Sequence, residues 1–386
     1  MAGLYIHVPF CAKRCVYCDF YFVTTSRDTA GFVAAAETEI AYYGAELGRR
    51  EPLETLYFGG GTPSMLSTDE VARLVGAVHR HFDTSALAEV TFEANPEDLA
   101  GDDGVAYLAA LKGLGVTRIS LGVQSFFEDD LRFFGRAHDA AQAERAAERV
   151  AGAGFDSFSI DLIFGAPEQP FEYWGANLEK ALRLGAPHLS TYSLTVEERT
   201  PLAKAVAAGR ISPVTDETMR ERYLFTADYL GARGLEHYEV SSFARPGHRS
   251  RHNEAYWRHA NYVGVGPSAH SFWRTTRSQG ERWWNVRHLG RWAGLLAAHE
   301  RPLEAREPVD ADALADEAVL LGLRRLADGL DLAALARDYG VDLLTEKPAV
   351  LAELERAGLI HPVTDRLRLT TDGAAVADAV ALKLVG

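Results

Sequence analysis

The sequence predicts an α/β fold, an open partial barrel of six β/α units followed by a smaller C-terminal α+β domain of winged-helix-like order. Three observations predict it. Short apolar strands alternate with helical patterns over the first 235 residues. Polar or glycine residues stand at the end of strand after strand, where β/α barrels bind their ligands. Near Pro302 and Pro308 the alternation stops, and helical stretches with one short hairpin follow. Domains are expected at 1–235 (barrel), 236–290 (an extension packing on it) and 291–386, with a linker about 290–310.

The elements follow in order. Leu4-Tyr5-Ile6-His7-Val8 reads as a strand, and Phe32, Ala36, Ile40, Tyr43 and Leu47 recur at helical spacing. Leu56-Tyr57-Phe58 is a strand ended by Gly59-Gly60-Gly61, and Val71, Leu74, Val75 and Val78 mark the next helix. Further strands are expected at 90–92, 118–121, 158–161 and 189–192, with helices about 104–114, 137–151, 171–184 and 215–232. Strands separated by helices imply parallel pairing with crossovers, and six units fall short of a closed ring of eight. Beyond the linker, helices are expected about 312–326, 331–340 and 349–358. A hairpin from Leu359-Ile360 and Leu367-Arg368-Leu369 follows, then a helix about 372–384.

Composition narrows the function class. The chain has 386 residues, a hydrophobic share of 47% and a charged share of 24%, which excludes disorder and a disulfide scaffold. The net charge of −14 opposes a broad nucleic-acid surface. The region 311–386 has winged-helix order, but its eight Lys and Arg against thirteen Asp and Glu also argue against phosphate contacts. That domain is expected to cover the barrel mouth or to dock a partner. No secretory signal and no spanning helix are expected, so the location is read as cytoplasmic, with any membrane contact peripheral.

The three cysteines, Cys11, Cys15 and Cys18, lie within eight residues and are the only ones in the chain. A disulfide would leave one thiol over and is disfavoured in a reducing compartment. Structural zinc and a [4Fe–4S] cluster each ordinarily take four ligands. Three thiolates on a cluster leave one iron open to chelate a substrate and pass it an electron.

The C-x3-C-x2-C spacing, with Tyr17 just before Cys18, resembles the radical S-adenosylmethionine (SAM) superfamily. Its core is a TIM-like partial (β/α)6 barrel, and its open iron binds SAM. The resemblance narrows with Tyr5-Ile6-His7-Val8-Pro9-Phe10-Cys11, Gly59–Pro63, Gly122-Val123-Gln124-Ser125-Phe126 and Asp161-Leu162-Ile163-Phe164-Gly165. These are similar to the oxygen-independent coproporphyrinogen III oxidase family and its HemW-type haem-chaperone relatives. It implies metal ligation by Cys11, Cys15 and Cys18 and the binding of one or two SAM molecules. Tyr5, Gly60, Glu93 and Ser193 would lie at the cluster-chelated SAM. Tyr17, Gly61, Thr62, Gln124, Arg136 and Asp161 would complete the SAM sites. Read locally, an ordinary surface or salt-bridge arginine is the lesser alternative for Arg136.

Two departures separate the subfamilies. The oxidases resemble C-x3-C-x2-C-x-C, whereas here Phe20 stands at the last position, and only ten residues precede Cys11. Both favour the chaperones. His252-Asn253-Glu254-Ala255-Tyr256-Trp257 matches the chaperones' H-N-x-x-Y-W signature. Neutral imidazole suits a haem iron, and Tyr256, Trp257 and Tyr262 suit a flat macrocycle. A capped loop with buried aromatics is the plainer reading of the same residues. The resemblance implies haem binding and delivery to haem-requiring proteins such as respiratory enzymes. Porphyrinogen decarboxylation and radical SAM methyl transfer are the alternatives, and no catalytic residue is assigned.

Overall fold

Six strands form the centre of the computed structural model, which describes residues 1–25 and 28–386. They are β1 (Ala2–Val8), β2 (Leu53–Gly60), β3 (Glu89–Ala94), β4 (Arg118–Gln124), β5 (Ser157–Phe164) and β6 (His188–Ser193). They lie side by side in that order, all parallel. Along β1, Leu4, Ile6 and Val8 are fully buried in one apolar cluster with Phe32, Ala36 and Ile40 of the helix Thr29–Leu47. Burying each such side chain contributes roughly 1.5–3 kcal/mol. The alternate residues Gly3, Tyr5 and His7 therefore face the barrel interior. The helix Thr68–His81 starts at a capping box in which Ser67 and Glu70 satisfy each other's backbone N–H groups.

After residue 235 the chain lengthens the same sheet at both ends. β7 (Glu236–Glu239) and β8 (Ser242–Ala244) join antiparallel beyond β6. β9 (Tyr262–Val265) pairs parallel with β1. β10 (His270–Thr276), β11 (Gln279–Asn285) and β12 (Leu303–Val309) continue antiparallel from it. The result is a twelve-stranded sheet, ordered β12-β11-β10-β9-β1-β2-β3-β4-β5-β6-β8-β7. The expected linker at 290–310 is instead the helix Leu289–Ala297 and strand β12. β12 is an edge strand, where a proline such as Pro308 is tolerated.

The helix Arg251–Trp257 seals the interior near the strand starts. A Cβ at Gly3 would lie 3.4 Å from the His252 ring, and the Glu89 carboxylate accepts from the N–H groups of Arg251 and His252.

The C-terminal domain packs its own core around Leu323, Leu335, Leu354, Leu367 and Val380. It contains β13 (Leu330–Asp331) paired with β14 (Arg366–Leu367), and an Ile360–Leu369 bridge where a hairpin was expected. The expected helix 372–384 is broken into Thr371–Ala374 and Ala377–Leu384. This domain spans the gap left by the unclosed sheet. Leu314 joins Phe272 and Val309 on one side, and Glu317 pairs with Arg282. On the other side the Val240 and Ala327 N–H groups bond the Arg324 and Tyr238 carbonyls. None of its residues lines the cavity described next, so the expectation that it covers the barrel mouth is corrected. Among the described residues no helix is long and apolar enough to cross a membrane.

Candidate cluster and cofactor site

The C-terminal ends of β2 to β6 and the loop after β1 enclose a cavity of about 690 Å³. Cys11, Cys15 and Cys18 line it together with Tyr17, Gly60, Gly61, Thr62, Glu93, Gln124, Arg136, Asp161 and Ser193. Nine of the ten SAM candidates are thus brought to one place. Tyr5 is not among the lining residues. Its hydroxyl donates to His7 Nδ1 at 3.1 Å and its ring lies 5.9 Å from Tyr57.

The cysteine loop is held from several sides. The Cys11 N–H donates to the Val23 carbonyl and the Val23 N–H to the Pro9 carbonyl. The Val16 N–H donates to the Phe134 carbonyl, and His7 Nε2 to the Tyr21 carbonyl at 2.8 Å. From the extension, Arg287 donates to the Asp19 carbonyl at 2.8 Å and the Leu289 N–H to the Tyr21 hydroxyl at 2.7 Å. The glycines after β2 serve this loop. A Cβ at Gly61 would stand 2.6 Å from the Phe10 carbonyl oxygen, and one at Gly60, where φ is +106°, would stand 2.5 Å from His7 Nδ1.

Arg136 points inward, which settles its role against the surface reading. It follows Gly135, which ends the helix Glu128–Phe134 in the left-handed conformation. One guanidinium nitrogen donates to Cys15 Sγ at 3.4 Å; the other donates to Asn95 Oδ1 at 2.7 Å and to the Gly122 carbonyl at 2.9 Å. Thr62 donates to Cys11 Sγ at 3.6 Å and accepts from Asn95 Nδ2. Asn95 thus ties the cysteine loop to the third and fourth strand ends. The sequence reading passed over it, although its place just beyond β3 marks it as a mouth residue. Tyr192, also at the cavity wall, was missed in the same way.

Two carboxylates lie deeper. Glu93 accepts from the Tyr57 hydroxyl at 2.7 Å and from the Gly60 N–H at 3.1 Å, and burial pushes it up to about 7. Asp161 accepts from Ser120 at 2.8 Å and Ser159 at 3.3 Å, and burial raises it as well. Burial pushes the Cys11 thiol up to about 12 and raises Cys18, with the neighbouring cysteines adding to both.

The donor set fits an iron–sulfur cluster. Three thiols line one cavity, with a guanidinium against one sulfur, which is the donor chemistry of iron–sulfur ligation. Gln124 Oε1 and Arg136 Nε are buried at this cavity without a protein partner, as expected where a polar ligand completes the wall. Gln124 also holds a left-handed backbone, φ 69°, which costs a non-glycine residue about 1–3 kcal/mol and concentrates at ligand sites.

The H-N-x-x-Y-W segment lies elsewhere. None of His252, Asn253, Tyr256 and Trp257 lines the cavity. His252 has both ring nitrogens engaged, Nδ1 with Thr55 at 2.8 Å and Nε2 with Tyr256 at 3.0 Å. It stacks on Tyr57 at 4.8 Å, and burial pushes it down to about 3. The Asn253 N–H is bonded by the Ser250 cap, and the Trp257 ring faces Arg324. In this conformation the plainer reading, a capped segment with buried aromatics, describes them, and His252 has no lone pair free for iron.

Comparison with known proteins agrees with the geometry. The radical SAM superfamily model matches residues 5–181 and the HemN C-terminal domain model residues 309–376. The heme chaperone HemW of Mycobacterium tuberculosis is 37% identical over 100% of this chain and 95% of its own length. That of Bacillus subtilis is 35% identical, over 98% of each. Among solved structures, the coproporphyrinogen III oxidase HemN from Escherichia coli superposes with a TM-score of 0.81 at 22% identity, over 100% of this chain and 90% of that one. That likeness shows a shared fold. Taken with the three cysteines at one cavity, the full-length similarity means that the chain belongs to the HemW family of radical SAM proteins.

Proposed function

We propose that the protein is a haem chaperone that holds a SAM-chelated [4Fe–4S] cluster, binds haem and delivers it to haem-requiring proteins such as respiratory enzymes. The observation that carries this reading is similarity to HemW chaperones along the whole chain. Phe20, exposed at the cavity where oxidases resemble a further cysteine, supports it.

Cys11, Cys15 and Cys18 would hold the cluster. When bound, a cluster with one open iron chelates the amino and carboxylate groups of SAM and can supply it an electron. Arg136 places a buried positive charge against the Cys15 sulfur, where thiolate charge accumulates. Gly60, Gly61 and Thr62 keep the wall thin beside the cysteine loop. Glu93, Asp161, Gln124 and Ser193 supply polar groups at fixed positions for an ammonium, a ribose and an adenine, for one SAM or two.

The test is one anaerobic experiment on reconstituted protein. It combines SAM, reductant and haem, and scores haem binding, transfer to an apo-acceptor, 5′-deoxyadenosine and S-adenosylhomocysteine. Saturable binding with transfer is the expected result. Absence of a stable haem complex would sink the reading. Turnover of coproporphyrinogen III in a parallel reaction would replace it with porphyrinogen decarboxylation.

A further inference from the structure

A haem iron needs an imidazole with a free lone pair, and the barrel uses most of its buried histidines otherwise. His7, His138, His252 and His259 each engage both ring nitrogens within the protein. His270 does not. It opens β10, its side chain reaches solvent, and among the described residues its ring nitrogens have no hydrogen-bond partner.

Its surroundings are specific. Directly across the strand pair lies Trp284, so the two side chains share one face. Their rings stack at 5.7 Å and 19°. Arg287 follows two residues beyond β11; its Nη2 holds the Asp19 carbonyl, leaving further guanidinium N–H groups free. Partial burial and the charges of Arg282 and Arg287 hold His270 below its usual value, which keeps the ring neutral. Phe20, 67% exposed, adjoins the Asp19 that Arg287 holds. The place therefore joins a free neutral imidazole, an aromatic support, a cation and an apolar lip beside the cysteine loop.

We infer that His270, Trp284 and Arg287 form a docking site for an iron porphyrin, with His270 as axial ligand. This inference rests on the chaperone reading and names the site for its cargo. Binding is a ligand exchange: an imidazole nitrogen lone pair forms the bond to iron as a weakly held axial water leaves, with no electron transferred. An axial imidazole stands upright on the macrocycle, so Trp284, nearly parallel to it, fixes the ring's rotation and turns its own edge to the porphyrin. Arg287 reaches a propionate, and Phe20 borders the apolar rim. The site lies against the cysteine loop, through the same arginine that holds Asp19.

The experiment titrates the full chain, with its cluster reconstituted, against ferric haem, read by absorbance and electron paramagnetic resonance. Wild type is expected to saturate at one haem with a histidine-ligated spectrum. His270→Ala should weaken binding at least tenfold and lose that spectrum while cluster content stays unchanged. His270→Gly should regain the spectrum on addition of free imidazole. Trp284→Leu should weaken binding severalfold with the ligand field altered. A His270→Ala protein that titrates like wild type overturns the site and leaves the chaperone reading intact. Wild-type protein that takes up no haem overturns both.

Discussion

Arg136 shows how much one side chain settles. Its fork reaches a cysteine sulfur, an asparagine and a strand-end carbonyl at once, a geometry that a lysine's single ammonium does not reproduce. Arg136→Lys is expected to fold, yet to release cluster iron to a chelator several times faster than wild type, as followed by loss of the charge-transfer absorbance. Glu39 is the second case. Fully buried, it accepts from the Gly266 N–H, Asn285 and Trp292, and burial outweighs these donors and pushes it up to about 7. A carboxyl raised in the fold stabilises fully below its unfolded value of about 4.5 and loses that contribution as pH rises through about 7. Unfolding of the cluster-free protein in urea should therefore show stability falling between pH 4.5 and 7, on the order of 3 kcal/mol from this group. Glu39→Gln should flatten that slope and, by setting an NH2 group against N–H donors, cost about 1–3 kcal/mol. At this scale the sequence was legible towards the C-terminal ends of the strands, where Gly60, Glu93, Gln124, Asp161 and Ser193 stand at the cavity. Tyr5 on β1 is not among the lining residues, and its hydroxyl is spent on His7.

Elements were legible according to how their burial repeats. The parallel strands turn alternate apolar residues to the covering helices, as Leu4, Ile6 and Val8 do on β1, and their order along the sheet follows from the crossovers. The extension hid because its strands are half exposed and mixed in character. β11 alternates buried Trp283 with partly exposed Arg282 and Trp284, and β12 carries three charged residues among its seven. The signature helix Arg251–Trp257 could be found by motif, but not its direction, since packing against Thr55 and Tyr57 fixes where His252 points. Its first turn is held by Glu89, a carboxylate from another strand. Glu89→Ala should destabilise the protein by about 1–2 kcal/mol, with amide exchange accelerating first over 251–257. If exchange there stays at the wild-type rate, the cap is not what holds the helix.

At the scale of the molecule, the C-terminal domain bridges the two ends of the sheet, packing on Phe272 and Val309 at one and bonding Tyr238 and Val240 at the other. Arg249 fastens it, pairing at once with Glu236, Glu254 and Asp328. A chain stopped after residue 310 should expose Phe272 and Val309, which Leu314 now covers, and should bind a hydrophobic dye that the full chain excludes. The free rim of the sheet has a further effect, on self-association. An unpaired strand of seven residues is a template on which a second molecule can lay its own rim and double the sheet. β12 carries exposed Glu304, Arg306, Glu307 and Pro308 there, so an incoming strand must desolvate charges already paired with Arg291, Glu281 and Arg282, and one backbone donor is missing. Replacing Glu307 and Pro308 by valine should turn the rim adhesive, with concentration-dependent growth in light scattering. Four polar or proline residues on the outermost strand thus keep an open sheet from polymerising, a safeguard that a closed barrel never needs.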